Sequence, residues 1–347
     1  MDIIHLPVEL WTLILDLLDI KLQIRLIQLC KTIKDKIFIT DLCNIDNKLK
    51  RKLTIEIVKK YPNIKKLNAS ENSRIRYDDL IGLNLVELNV DDNLRIKKIN
   101  HMTNLRILYA GGEDCGIDDD SLAGLNLVEL HAYDNPKIKK VNHMTNLRIL
   151  DAGNDSGVGD LIELNLVELD AYQNPKIKKI NHMTNLKKLN ASRNSGIDDE
   201  YLTGLNLVEL IANNNEKIKK INHMTNLRIL YANGEDCGID DNSLVGLNLV
   251  ELHAFDNSKI KKVNHMTNLR ILNAGWSSEI GDEDLIGLNL VKLDANCNPK
   301  IKKINHMTNL RILHAGGSSG IGDEDLVGLN LIELYAYCNP KIKKSII

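Results

Sequence analysis

Beyond about residue 63 the apolar positions of this chain follow one short rule, many times over. A leucine is followed three positions later by a second leucine, and two positions after that by an alanine. Leu166, Leu169 and Ala171 are one instance, and Leu227, Leu230 and Ala232 are another. The residues between them vary. Apolar residues at alternate positions of a short run predict a strand that buries one face. The motif His-Met-Thr-Asn-Leu marks the register, at His101, His143, His182, His223, His265 and His306. Successive spacings are 42, 39, 41, 42 and 41 residues. A fixed period of this size predicts a solenoid or propeller array, in which each unit covers its neighbour's apolar face.

Each period holds two units, of two types. The first type runs from its strand through an asparagine, as at Asn174, to Ile177 and Ile180. That asparagine recurs at Asn93, Asn135, Asn215, Asn257, Asn298 and Asn339. A buried asparagine there is expected to bond the backbone of the turn, forming a ladder. In the second type the corresponding slot holds Asn72, Glu113, Asp155, Asn194, Glu235, Ser277 and Ser318, so a looser ladder is expected. The return segment from Gly116 to Leu125 offers Asp and Ser at a helix start and predicts a short helix. The segments reading Asn-Pro-Lys-Ile-Lys-Lys are too short and too β-branched for one. A shortened return between Gly157 and Leu164 accounts for the 39-residue period. Lysine pairs such as Lys178 and Lys179 alternate with aspartate pairs such as Asp198 and Asp199, which predicts a solvated ladder of opposite charges worth little per pair.

The first 45 residues do not fit the repeat. Pro7 suits the first turn of a helix, and Leu10, Ile14, Leu17 and Leu18 follow at helical spacing. Leu22, Leu26, Leu29, Ile33 and Ile37 predict further helix. Forty such residues make a poor core alone and need a neighbour or a partner. Between Lys48 and Tyr61 a third helix is expected, with Leu49, Leu53, Ile57 and Val58 on one face and Pro62 ending it.

Two family resemblances enter on these residues. From Asn63 to Lys344 the units resemble the leucine-rich repeat, with alanine at the third apolar site. The resemblance implies an α/β fold: a leucine-rich-repeat solenoid of about fourteen units over residues 63–347. Its parallel β-sheet would line the concave face, with short helices and turns on the convex face. At the N-terminus, Leu6-Pro7-Val8-Glu9-Leu10, then Ile14, Leu18 and the pair Cys30-Lys31, resemble the F-box; Ile33 departs from it where many F-boxes carry tryptophan. This implies an all-α F-box-like module over residues 1–45, joined through a capping helix over residues 46–62. It also implies docking on a Skp1-like adaptor through Leu6, Pro7, Leu10, Ile14 and Leu18. A chain joining both modules resembles substrate receptors of Skp1–cullin–F-box ubiquitin ligases, and the near-identity of its repeats, with a composition suggesting AT-rich coding, resembles F-box/repeat proteins of giant DNA viruses or AT-rich protists. The alternatives are a helical cap on the first repeat, and a repeat scaffold with no ubiquitin role, similar to leucine-rich phosphatase regulators.

The chain has 347 residues and a net charge of −2, with no basic excess to favour nucleic acid. No run of about 18 apolar residues suggests a membrane span, and no basic leader precedes the apolar stretch at Trp11. A cytoplasmic place, in the host if the chain is viral, and six reduced cysteines are expected. Cys297 and Cys338 share a slot two units apart, roughly 10 Å at strand spacing, too far for a disulfide. The same spacing keeps the six motif histidines from sharing a metal. The glycine-rich run from Ala315 to Gly322 lacks phosphate-loop spacing. No metal, cofactor or enzymatic activity is expected.

Binding is expected where near-identical units differ. The outward residue between leucine and alanine includes Tyr109, His131, Asp170, Tyr231, His253, Asp294, His314 and Tyr335. The position after alanine includes Tyr133, Tyr172, Phe255 and Tyr337, with Trp276 one further on. Aromatic residues flanked by Asp and His suit a protein partner. Glu129, Glu168, Glu209 and Glu251 form an acidic stripe nearby, which would suit a basic one.

Overall fold

The computed structural model describes residues 8–29, 39–43, 50, 52–61, 63–71 and 74–343. They form two compact units, Met1–Leu164 and Asn165–Ile347. In the first, helices α1 (Val8–Asp16) and α2 (Ile20–Leu29) lead to strand β1 (Asp41–Leu42) and a single helical turn, α3 (Ile55–Val58). Strands β2 (Lys66–Asn68), β3 (Glu87–Asn89), β4 (Ile107–Tyr109), β5 (Glu129–His131) and β6 (Ile149–Asp151) follow, with α4 (Asp119–Leu122) between β4 and β5. The second unit holds β7 (Glu168–Asp170), β8 (Lys188–Asn190), β9 (Glu209–Ile211), β10 (Ile229–Tyr231) and β11 (Glu251–His253). It continues with β12 (Ile271–Asn273), β13 (Lys292–Asp294), β14 (Ile312–His314) and β15 (Glu333–Tyr335).

Within each unit the strands pair in parallel and in chain order. The register is carried by one leucine per strand: Leu88 pairs with Leu108 and Leu108 with Leu130, and in the second unit Leu210 pairs with Leu230 and Leu230 with Leu252. These leucines are fully buried, while their neighbours at both ends of each strand stay half-exposed. From β2 onward successive paired leucines lie 20 to 22 residues apart, too few for a long helix on the return. This is a parallel-sheet solenoid of the leucine-rich-repeat type. Stacking conceals what one unit cannot: Leu, Ala and Ile side chains, each worth about 1.5–3 kcal/mol for the larger ones.

The asparagine ladder is present. Asn215 Nδ2 donates to Ala191 O at 2.7 Å and Ile197 O at 3.2 Å, and its Oδ1 accepts from Lys217 N at 3.0 Å. Asn135, Asn257, Asn298 and Asn339 make the same set. In the second unit type the buried polar residue is not where counting from alanine puts it. Glu113, Asp155, Asn194, Glu235, Ser277 and Ser318 are exposed; Cys115, Ser156, Ser195, Cys237, Ser278 and Ser319, one or two places later, are buried. Asn72 lies outside the described residues.

The return segments correct one expectation. Among the described residues Asp119 makes no ion pair with a lysine ammonium group: its Oδ1 accepts the backbone N–H of Lys139 at 2.7 Å and of Lys140 at 2.9 Å. Asp199, Asp241 and Asp282 hold the amides of Lys219 and Lys220, Lys261 and Lys262, and Lys302 and Lys303 in the same way. The lysine pair presents two adjacent amides on one side of the turn, and a carboxylate one unit back satisfies both. The short helix expected after Gly116 is α4: Asp118 accepts from Ser121 N at 2.9 Å and Ser121 Oγ accepts from Asp118 N at 3.2 Å.

Two boundaries also differ from expectation. Asp41–Leu42, assigned to the helical module, pairs in parallel with β2 and so extends the sheet. Of the helix expected over Lys48–Tyr61, the described residues show Lys50 as helical and then the separate turn α3; Leu53 and Val58 are buried, as its apolar face requires.

Candidate binding surfaces

The N-terminal helices hold together through Trp11 and Leu15, both buried, with Ile14 and Leu26 packed against them. Asp19 caps α2, its Oδ1 accepting from Leu22 N at 2.9 Å. Gln23 Nε2 donates to Leu15 O and Leu18 O at 2.8 and 2.9 Å, tying α2 to the end of α1. Leu10, Leu13 and Leu17, at helical spacing, are exposed by 45%, 59% and 87%. Of the five residues expected to meet an adaptor, Leu10 is thus open, Leu18 half-buried, and Ile14 turned partly onto Trp11 and Leu15. Leu6 and Pro7, like Cys30, Lys31 and Ile33, lie outside the described residues. Leu13 and Leu17 complete an apolar stripe whose outer residues the motif alone does not single out.

On the strands, side chains at the first and third positions project from the sheet. In the first unit Tyr109 stacks on His131, ring centres 4.3 Å apart and planes within 7°. His131 Nε2 meets Glu129 Oε1 at 2.7 Å, and Nδ1 lies 3.7 Å from Asp151. Burial alone would lower the His131 pKa, but Asp151 and Glu129 together hold it above the ordinary imidazole range. Tyr133 leans over Gly111, where a Cβ would come within 2.5 Å of its ring.

In the second unit Tyr231 stacks on His253 at 4.2 Å, and His253 meets Glu251 at 2.6 Å. Phe255 tilts against Trp276 at 5.9 Å. Arg193 lies 5.6 Å over the Tyr172 ring. His314 joins Asp294 at 3.2 Å and meets Tyr335 edge-on at 4.7 Å. Tyr337 is 88% exposed. Asp170 and Asp294 also serve the backbone, accepting from Tyr172 N at 2.8 Å and Asn296 N at 3.0 Å. A shallow depression of about 490 Å³ opens between Tyr172, Arg193, Asn213, Phe255 and Asp256.

The glutamate stripe is largely answered from within. Glu129 and Glu251 hold their histidines, and Lys188 lies between Glu168 at 3.9 Å and Glu209 at 3.8 Å. The motif histidines face the turns: His143, His223, His265 and His306 contact the carbonyls of Leu122, Leu202, Leu244 and Leu285 at 3.2 to 3.3 Å.

One feature of this surface was not readable as such from the repeat. The second residue after each alanine, and after Val90 in the same slot, is left-handed: Asp92 (φ 51°), Arg193 (φ 57°), Asn214 (φ 51°) and Trp276 (φ 56°) among others, with Gly112, Gly234 and Gly317 completing the column. A side chain there costs about 1–2 kcal/mol. The conformation persists because its N–H reaches the next unit, as Arg193 N does to Asn213 O at 2.7 Å. It also lifts Trp276 and Arg193 out from the strand ends.

No family model and no curated protein matches this chain. Several solved structures are similar in backbone. An internalin of Listeria monocytogenes is 22% identical, with a TM-score of 0.47, over 84% of this chain and 85% of that one. A chain of the yeast Rad7–Elc1 complex is 16% identical, with a TM-score of 0.48, over 78% and 80%. A leucine-rich-repeat protein of Leptospira interrogans is 16% identical, with a TM-score of 0.47, over 87% and 83%. At these identities the likeness is one of backbone alone.

Proposed function

We propose that this chain is a non-catalytic receptor: its N-terminal helices hold a Skp1-like adaptor, and its strand face holds a protein target for ubiquitination. The observation that carries the adaptor half is the stripe Leu10, Leu13 and Leu17, open to solvent on a helix whose other face is anchored by Trp11 and Leu15. A short helix pair exposes such a stripe at a cost unless something covers it. The target half rests on aromatic and histidine side chains gathered at the outward strand positions, the residue types that dominate protein interfaces.

The partial burial of Ile14 against Trp11 favours a second reading, a repeat scaffold with no adaptor. Titration of the full chain with a purified Skp1-type adaptor separates the two. Binding by the wild type, reduced at least about tenfold by Leu10→Asp with Leu13→Asp, is expected for a buried apolar contact. No binding by the wild type leaves the scaffold alone.

A further inference from the structure

The segments Glu87–Asp151 and Glu209–Asn273 align without a gap, 53 of 65 residues identical. One lies in the first unit and one in the second, so the molecule carries two versions of one surface. Both have the tyrosine–histidine stack and its glutamate. They differ in charge. Asp91, Asp92 and Asp151 of the first are Asn213, Asn214 and Asn273 of the second. On the outward columns the first version carries six carboxylates: Glu87, Asp91, Asp92, Glu129, Asp134 and Asp151. The second carries three: Glu209, Glu251 and Asp256.

We propose that the first version, from β3 to β6, docks a lysine- or arginine-rich extended polypeptide, and that the second does not. This rests on reading the strand face as a protein-binding surface, and it names the chemistry of the partner.

The fold does not need these charges. Asp91 Oδ1 accepts from Gly111 N at 2.7 Å, and Asn213 Oδ1 accepts the equivalent amide, Asn233 N, at 2.9 Å. Asp151 accepts from Gly153 N at 3.1 Å, and Asn273 from Gly275 N at 3.2 Å. An amide oxygen does the structural task equally well. Six clustered carboxylates repel one another and weaken the compact state. The nearby cations answer half of this: Lys66 reaches Glu87 at 2.9 Å, and His131 lies between Glu129 and Asp151, while Asp91, Asp92 and Asp134 have no ion pair among the described residues. Burial, with the Asp92 charge beside it, pushes the Asp91 carboxyl above the usual carboxylate range, although the Gly111 amide, Asn89 and His131 act the other way.

The second unit supplies its own cation instead. Arg193 occupies the place that Glu71 holds 122 residues earlier. A cationic segment would meet both requirements of the first version, pairing with the carboxylates and laying its aliphatic stems or guanidinium planes on Tyr109 and Tyr133. Strands β3 to β6 span about 14 Å, which about four extended residues cross. Nucleic acid carries the wrong sign for this surface.

The test uses the full chain and a fluorescein-labelled twelve-residue peptide alternating lysine and serine, in about 50 mM salt where charge pairs are weakly screened. One peptide per chain is expected by titration, with no binding of a glutamate–serine control. Asp91→Asn with Asp92→Asn and Asp151→Asn should weaken the complex at least about tenfold, the joint effect of three modest surface pairs. The reciprocal variant, Asn213→Asp with Asn214→Asp and Asn273→Asp, should raise the stoichiometry from one to two. All six substitutions place residues that the chain already uses at the equivalent turn, so folding is retained. Equal affinity of wild type and neutralised variant, no wild-type binding, or a reciprocal variant still taking one peptide would overturn the proposal. Equal affinity of wild type and neutralised variant would leave the strand face a protein-binding surface and remove only its charge preference, so the two readings fail separately.

Discussion

The two turns of each repeat period do the same task with unequal means. In the asparagine turn one side chain spans the gap between units, donating twice and accepting once, as Asn257 does with Ala232 O, Ile239 O and Lys259 N. In the other turn the buried residue is serine or cysteine. Ser195 Oγ accepts from Ile197 N at a long 3.4 Å, and Cys237 Sγ reaches Ala212 O at 3.5 Å. The weaker turn is served by the stronger one. Lys259, two residues after its asparagine, donates from Nζ to Cys237 O at 2.7 Å, and Lys217 does so to Ser195 O at 3.1 Å. A solenoid can therefore alternate a fully bonded turn with a lightly bonded one, provided the first also covers carbonyls of the second.

Breaking the strong turn should have the largest effect. Asn215→Ala removes both donors and the acceptor, leaving Ala191 O, Ile197 O and Lys217 N without that partner inside the protein. A destabilisation of about 2–4 kcal/mol is expected, the cost of several buried groups losing one partner. Urea unfolding would measure it, with hydrogen exchange at the Lys217 amide locating it. A loss of less than about 1 kcal/mol would place the ladder's strength in the leucine core instead.

Much of this was legible beforehand, and the part that was not has one source. The leucine and alanine spacing gives strand positions directly, because alternation on a strand leaves one inward face and no other choice. The asparagine ladder follows because only a side chain with both donors and an acceptor recurs there. The serine and cysteine slot was hidden because the two turns differ in length. Asparagine stands three residues after alanine, as in Ala171 to Asn174, but Ser195 stands four after Ala191 and Cys237 five after Ala232. The extra residue before Cys115 and Cys237 also gives the 22-residue steps from Leu108 to Leu130 and from Leu230 to Leu252. The aspartate caps were misread as partners of lysine side chains because a sequence does not show which way two adjacent amides point. At the candidate surface the aromatic columns could be read from variation between units. The stacking of Tyr109 on His131, and the left-handed column that carries Trp276, needed coordinates. At the N-terminus the motif marks Ile14 and Leu18, whereas the packing of Trp11 and Leu15 decides which leucines remain outside.

A middle effect is expected where the two turns touch. A Cβ on Gly196 would lie 2.4 Å from Ile177 O and 2.5 Å from Pro175 O, both in the preceding asparagine turn. The same approach lets Gly196 N donate to Asn174 O at 3.0 Å. Gly116, Gly157, Gly238 and Gly320 make this bond too. At the equivalent position Glu279 does not, and its carboxylate instead pairs with Lys300 and, at 3.7 Å, Lys261. One natural turn thus shows what a side chain does there: the amide bond opens and an exposed ion pair takes its place. Gly196→Ala, with no carboxylate to offer, should cost about 1–3 kcal/mol, the usual range for overpacking. Loss of exchange protection at the Gly196 amide would confirm the mechanism; retained protection with unchanged stability would show that the turn shifts freely.

The smallest effect belongs to the weak turn itself. Cys237→Ser replaces a buried thiol by the residue found at Ser156, Ser195, Ser278 and Ser319, so near pH 7 stability should change by less than about 1 kcal/mol. The difference lies in its pH dependence. Burial raises the Cys237 thiol to about 11, against 9.0 unperturbed, with its hydrogen bond to Ile239 and the Lys259 charge acting the other way. The folded state therefore holds this proton more tightly than the unfolded chain. That contribution is fully present below pH 9 and is lost as pH rises from 9 towards 11. Wild type should accordingly lose stability relative to Cys237→Ser across that interval, and its thiol should resist alkylation at pH 8 until the chain unfolds. Cys115, raised to about 12 chiefly by burial, should behave likewise over a wider interval. Parallel curves for wild type and variant between pH 9 and 11 would mean that Cys237 ionises without unfolding its turn, and the weak turn would then be a more open structure than its hydrogen bonds imply.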